Sequence, residues 1–174
     1  VNDLLAADAV VANGADLELG LAPTLALVDA EGVPVLRAVD HIDQLTLDHD
    51  HAHDHSEDDD DHVEGPDDGA ADPDDPGHAH GDVDPHFSTD PARVVQAAEG
   101  LAAALAREVP TLATAEARAA VDAGLAELRA AAADVADVLG AVAPDDRVLL
   151  TEHDGLRYLA DTHGFEVEVV VPGT

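Results

Sequence analysis

His49, His51, His53 and His55 stand at alternate positions, separated by Asp50, Ala52 and Asp54, and His62, His78 and His80 follow in the same stretch. In an extended chain, residues two apart project to one side, so several of these imidazoles can meet one divalent ion. The interleaved Asp residues raise the local concentration of cations. Imidazole suits zinc, nickel and copper better than magnesium or calcium. An acidic solubility loop with incidental His is the plainer alternative, but alternating His is a compositional mark of metal binding. The two-metal hydrolase pattern His-x-His-x-Asp-His is not met: His51-Ala52-His53-Asp54-His55 is one residue short. Its setting also lacks a rigid frame to hold a catalytic metal in open geometry.

His86 and His153 are of another kind. Each precedes an expected helix, with Asp90 and Asp154 as the expected caps, and His153 also directly follows an apolar strand. Open α/β sheets place ligand sites at the carboxyl ends of their strands. Two lobes held face to face would bring one His from each to a common cleft. A lone His in a turn can equally serve only as a hydrogen-bonding group, and spacing alone leaves both readings open.

These residues belong to a chain of 174 with no Cys, so disulfides, thiolate zinc sites and thiol chemistry within it are excluded. Seven basic residues, all Arg, oppose 39 acidic ones for a formal charge of -32. Such a chain is repelled by nucleic-acid phosphates and anionic membranes, so no nucleic-acid partner is expected and cations are its natural ligands. Residues 48 to 84 hold 16 of the Asp and Glu and no Arg, and thus half of the net charge. Three Pro, four Gly and repeated Asp-Asp pairs leave this segment too little apolar surface to offset the entropy of ordering, so it reads as a disordered insertion. With only Phe87, Tyr158 and Phe165 as aromatics, the core is expected to consist of small aliphatic side chains.

The positioning elements follow from periodicity. Val1 to Ala7 reads as the end of a helix, AVVA at 9–12 as a strand closed by Asn13-Gly14, residues 17–30 as a helix bent at Pro23, and VPVLRAV at 33–39 as a second strand. Strand, helix, strand with short links is a parallel α/β unit. Asp90 and Pro91 open a helix whose apolar residues Val94, Ala98, Leu101 and Leu105 repeat every three or four positions until Pro110 stops it. A second helix is expected over 114–140, its apolar stripe running through Val121, Leu125, Leu128, Ala132, Val135, Leu139 and Val142. Its length suits a strut between two lobes. Strand 147–151, a helix over 155–163 ended by Gly164, and strand 165–171 resume the α/β rhythm. The organisation expected is a partial lobe over 1–110 with its insertion, a linker helix over 111–143 and the start of a second lobe over 144–174. No apolar run approaches membrane-spanning length, the start VNDLLAADAVVANG lacks the basic and long apolar regions of a signal peptide, and the chain reads as part of a longer exported protein.

ADAVVANGADLE at 7–18, the acidic His-rich segment, DPHFSTDP at 84–91, the long helix and LLTEHDGLRYLADTHGFEV at 149–167 occur in an order that resembles the metal-binding solute-binding proteins of zinc and manganese ABC importers. The resemblance covers essentially the whole chain. It implies two Rossmann-like lobes with parallel sheets joined by a rigid long helix, with metal bound between the lobes. Carried over onto the DPH and HD segments, it makes His86 and His153 metal ligands. It also implies a first His from upstream of Val1 and a further carboxylate or His from beyond Thr174. Ser88 and His163 stand where such proteins usually have aromatics, and neither His41 nor His163 is well placed as a replacement ligand.

The function so implied is extracytoplasmic capture of Zn2+ as a transported ligand, without enzymatic chemistry, and its delivery by a monomeric periplasmic or cell-surface lipoprotein to the permease of an ABC importer. The His-rich segment points to the zinc members of the family rather than the manganese ones. A His-rich metal store or metallochaperone is the alternative.

Overall fold

The computed structural model describes residues 1–47 and 83–170. His49, His51, His53, His55, His62, His78 and His80 therefore lie outside the described residues.

A short helix α1 (Asn2–Leu5) leads to strand β1 (Val10–Ala12), helix α2 (Ala22–Ala30) and strand β2 (Val35–Arg37). The two strands pair in parallel, Val10 with Val35 and Ala12 with Arg37. The expected helix over 17–30 is shorter than its hydrophobic pattern suggested. Gly14, Ala15 and Asp16 all take positive φ, at 86°, 49° and 57°. The Glu18 carboxylate turns back to accept the main-chain N–H groups of Asn13 and Gly14. Residues 14–18 are thereby drawn into a turn, and Pro23 sits in the first turn of α2, where its missing N–H costs nothing, rather than at a bend.

Helix α3 (Pro91–Glu108) starts as expected: Asp90 accepts the N–H of Ala92 at 3.1 Å and Pro91 occupies the first helical position. Its deepest residues are Ala97 and Ala104, while Val94, Ala98, Leu101 and Leu105 are half-buried. Small residues lie deepest because the 3-10 turn Ala38–His41 packs closely there. A Cβ at Gly100 would stand 2.3 Å from the Cβ of His41. Gly100→Ala is therefore expected to cost about 1–3 kcal/mol of stability through overpacking, readable as a lower urea midpoint with an unchanged slope. An unchanged midpoint would mean that the turn gives way freely.

Thr114 caps helix α4 (Ala115–Gly140) by accepting the N–H of Ala117. At 26 residues the helix runs about 39 Å and lies against α3. None of its residues is fully buried, but Leu125, Leu128, Ala132, Val135 and Leu139 are half-buried, at the spacing of the predicted stripe, whereas Val121 at its start is exposed. Beyond it, β3 (Val148–Thr151), α5 (Arg157–His163) and β4 (Glu166–Val169) form a second strand-helix-strand unit, with β3 and β4 parallel. Gly164 closes α5 in the left-handed conformation, φ 69°. Arg147 donates to the carbonyls of Val142 and His163, so one cation serves the ends of both α4 and α5. Asp154 does not cap α5. That helix starts only at Arg157, and Asp154 lies 3.7 Å from the Arg157 Nε instead.

The central core gathers Ala38, Val39, Phe87, Ala97 and Tyr158. The expectation of an aliphatic core needs correction, because two of the three aromatics sit at its centre, where large rings fill the space that Ala and Val leave. The predicted insertion also extends two residues too far. Val83 bridges antiparallel to Thr46, Asp84 donates its N–H to Leu45 O at 2.9 Å, and Asp84 is fully buried.

Candidate metal centre

His86 opens the 3-10 turn His86–Thr89 between Pro85 and the Asp90 cap. Its conformation is set from both sides. Phe87 is buried in the core, and Oδ1 of Asp84 accepts the His86 main-chain N–H at 2.9 Å. The same Oδ1 lies 2.7 Å from the ring Nδ1 of His86. The Asp side chain is fully buried and the His side chain is 17% exposed. Both functional nitrogens of the ring thus have fixed directions, Nδ1 inward and Nε2 outward.

His153 sits in the turn after β3. Thr151 Oγ1 donates to His153 O at 2.7 Å, and Gly155 N donates to the same carbonyl at 2.8 Å. A Cβ on Gly155 would press on the His153 ring at 3.3 Å and lie 3.7 Å from that of His86. The small residue leaves room for the two rings to approach.

Side-chain polar contacts join this second unit to the segment that carries His86. Thr89 Oγ1 lies 2.9 Å from Gly155 O, and Thr162 Oγ1 donates to Asp90 Oδ2 at 2.6 Å. Arg93 donates to Asp161 at 2.9 Å. Tyr158, fully buried, donates its hydroxyl to Asp84 O at 2.8 Å while accepting the N–H of Leu45 at 3.1 Å. Burial raises the Tyr158 pKa above its ordinary value, and the nearby Asp84 carboxylate adds to the rise. The result is that Nε2 of His153 lies 3.1 Å from Nε2 of His86, with the rings nearly perpendicular at 79°.

Sequence reasoning chose both His residues, and the structure brings them together across 67 positions. It missed Asp84, whose signal was the Asp-x-His spacing that favours a side-chain to main-chain turn. It also missed Thr89 and Gly155, which carried no local signal. His41 packs on α3 at Gly100, and His163 faces Asp90 at 3.9 Å. Among the described residues no group of three or more His, Asp or Glu side chains is arranged to hold a metal ion.

Residues 1–174 match the family described as zinc-uptake complex component A, periplasmic (ZnuA). The chain belongs to that family. Members of the ZnuA family are binding proteins of ABC-type zinc uptake and not enzymes. Solved structures of similar fold include the periplasmic zinc binding protein TroA from Treponema pallidum, 21% identical over 95% of this chain and 49% of that one, with a TM-score of 0.68. Zn(II)-bound AdcA from Streptococcus pneumoniae is 17% identical over 99% of this chain and 30% of that one, TM-score 0.69. The ZnuA-like domain of the same AdcA is 19% identical over 97% and 50%, TM-score 0.66. The chain thus spans about half or less of the length of these proteins and part of their two-lobed fold. The comparison with curated proteins gave no match. Among the described residues no helix is long and apolar enough to cross a membrane.

Proposed function

We propose that this chain supplies two ligands, His86 and His153, to a zinc ion captured outside the cytoplasm and handed to the permease of an ABC importer. The observation that carries this reading is the meeting of the two Nε2 atoms at 3.1 Å. Two nitrogens bound to zinc at 2.0–2.1 Å with a tetrahedral angle stand about 3.3 Å apart. A shift of a few tenths of an ångström therefore admits the ion between the rings. Residues 1–110 belong to one lobe, 111–143 to the linking helix and 144–174 to the second lobe, so each lobe gives one imidazole. A tetrahedral shell needs two further ligands, which the described residues do not provide. The protein acts as a monomer, periplasmic or held at the cell surface by a lipid.

The acidic His-rich segment is an accessory collector. Its two flanks, Leu45–Thr46 and Val83–Asp84, meet each other, and Asp84 contacts His86, so the segment leaves and returns beside the cleft. Joining Leu47 to Val83 through a short turn, which removes residues 48–82, is expected to lower the number of zinc ions bound and leave the cleft site. Loss of all tight binding in calorimetry would make the segment itself the main site. The choice of metal follows from imidazole ligation: in a competition titration of the whole protein, zinc should displace manganese. Manganese retained against equimolar zinc would reject the zinc reading.

A further inference from the structure

We infer that Asp84 is a positioning residue that fixes the tautomer of His86 and so keeps its outward nitrogen ready for a metal. The inference rests on the proposed ligand role of His86 and assigns a task to a residue that takes no part in coordination. Oδ1 of Asp84 already accepts the His86 main-chain N–H at 2.9 Å, so this oxygen presents an acceptor to the ring. The ring Nδ1 at 2.7 Å must then bring the proton. A neutral imidazole holds one proton, so Nε2 is the acceptor nitrogen of the ring, on the side where the His153 Nε2 stands 3.1 Å away. Fixing the tautomer through the second ring nitrogen in this way raises the basicity of a metal-binding imidazole.

Asp84 is itself held rigidly. It is completely buried, its carbonyl accepts the Tyr158 hydroxyl at 2.8 Å, and its N–H bonds to Leu45 O at 2.9 Å. Oδ2 has no hydrogen-bond partner among the described residues. Burying a carboxylate with one oxygen unsatisfied is costly for stability alone. A residue kept only for folding would be served as well by an uncharged acceptor, and the charge strengthens the bond to the ring N–H.

The test reads the tautomer directly, by long-range 1H–15N correlation of the histidine rings in the metal-free protein, with His86→Gln for assignment. Zinc affinity is measured on the same samples. The wild type should carry the His86 proton on Nδ1. Asp84→Asn, which keeps a carbonyl acceptor at the same place, should retain that tautomer with a modest loss of affinity. Asp84→Ala should give a mixture of tautomers and a loss of about 10–100-fold. The wild-type spectrum needs no variant to fold: a His86 proton on Nε2 there overturns the inference. So does an Asp84→Ala protein that loses affinity while His86 keeps a single Nδ1–H tautomer, since that is the behaviour of a purely structural residue. Zinc that leaves the His86 and His153 signals unmoved in the wild type would overturn the ligand assignment itself, and with it any purpose of the tautomer.

Discussion

Replacing His153 with Ala in the whole protein is expected to weaken the tight zinc site by more than about a hundredfold, because changing even an outer partner of a metal ligand costs roughly 10–100-fold. His86→Ala should do the same, and the double variant should lose little beyond either single one, since one vacant position already leaves the ion incompletely held. His163→Gln serves as the control. Its imidazole faces Asp90 and not the His pair, so zinc affinity should be unchanged. Calorimetry in the presence of a competing chelator separates this site from weaker ones. Tight stoichiometric binding that survives the loss of either His86 or His153 would remove both from the coordination shell.

Tyr158→Ala is expected to be the most damaging single change to stability. The ring is fully buried at the centre of the core, and deleting a large aromatic from such a place costs about 3–5 kcal/mol. Tyr158→Phe keeps the ring but leaves the Leu45 N–H and the Asp84 carbonyl without their shared hydroxyl, at a cost of about 1–3 kcal/mol. The hydroxyl also gives the fold an alkaline limit. Because the folded pKa of Tyr158 lies above its ordinary value, the folded state keeps a proton that the unfolded chain has released. Its stabilisation is complete below about pH 10 and is lost as pH rises through the raised folded pKa. Urea midpoints followed from pH 8 upward should fall over that window in the wild type and fall less in Tyr158→Phe. Parallel curves for the two proteins would show that Tyr158 does not set the limit.

What could be read from the residues divides along a physical line. The parallel strand pairs, the Asp90 and Thr114 helix starts, the Gly164 stop and the stripe of α4 all rest on interactions within a few residues or on one unbroken period. Such signals are visible in a linear chain. The start of α2 escaped because a single carboxylate, Glu18, recaptured two main-chain N–H groups and pulled its neighbours out of the helix. Asp154 looked like a cap, but the tight turn at His153 and Gly155 delays α5 to Arg157. His86 and His153 were recognisable as candidates, whereas their meeting depends on Tyr158 reaching Leu45 across 113 positions and Asp84 across 74. No local pattern encodes such a contact. Asp84 itself was absorbed into the acidic run that precedes it, since one carboxylate among many carries no distinguishing mark until its burial is known.

The proposal that one zinc ion lies between the two imidazoles is tested most directly by anomalous diffraction at the zinc edge from crystals of the zinc-loaded protein. The expected result is one strong peak about 2.0–2.1 Å from Nε2 of both His86 and His153, with Nδ1 of His86 still bonded to Asp84. Zinc peaks found only elsewhere, with the two rings still facing each other at hydrogen-bonding distance, would contradict the assignment of this cleft as the metal centre.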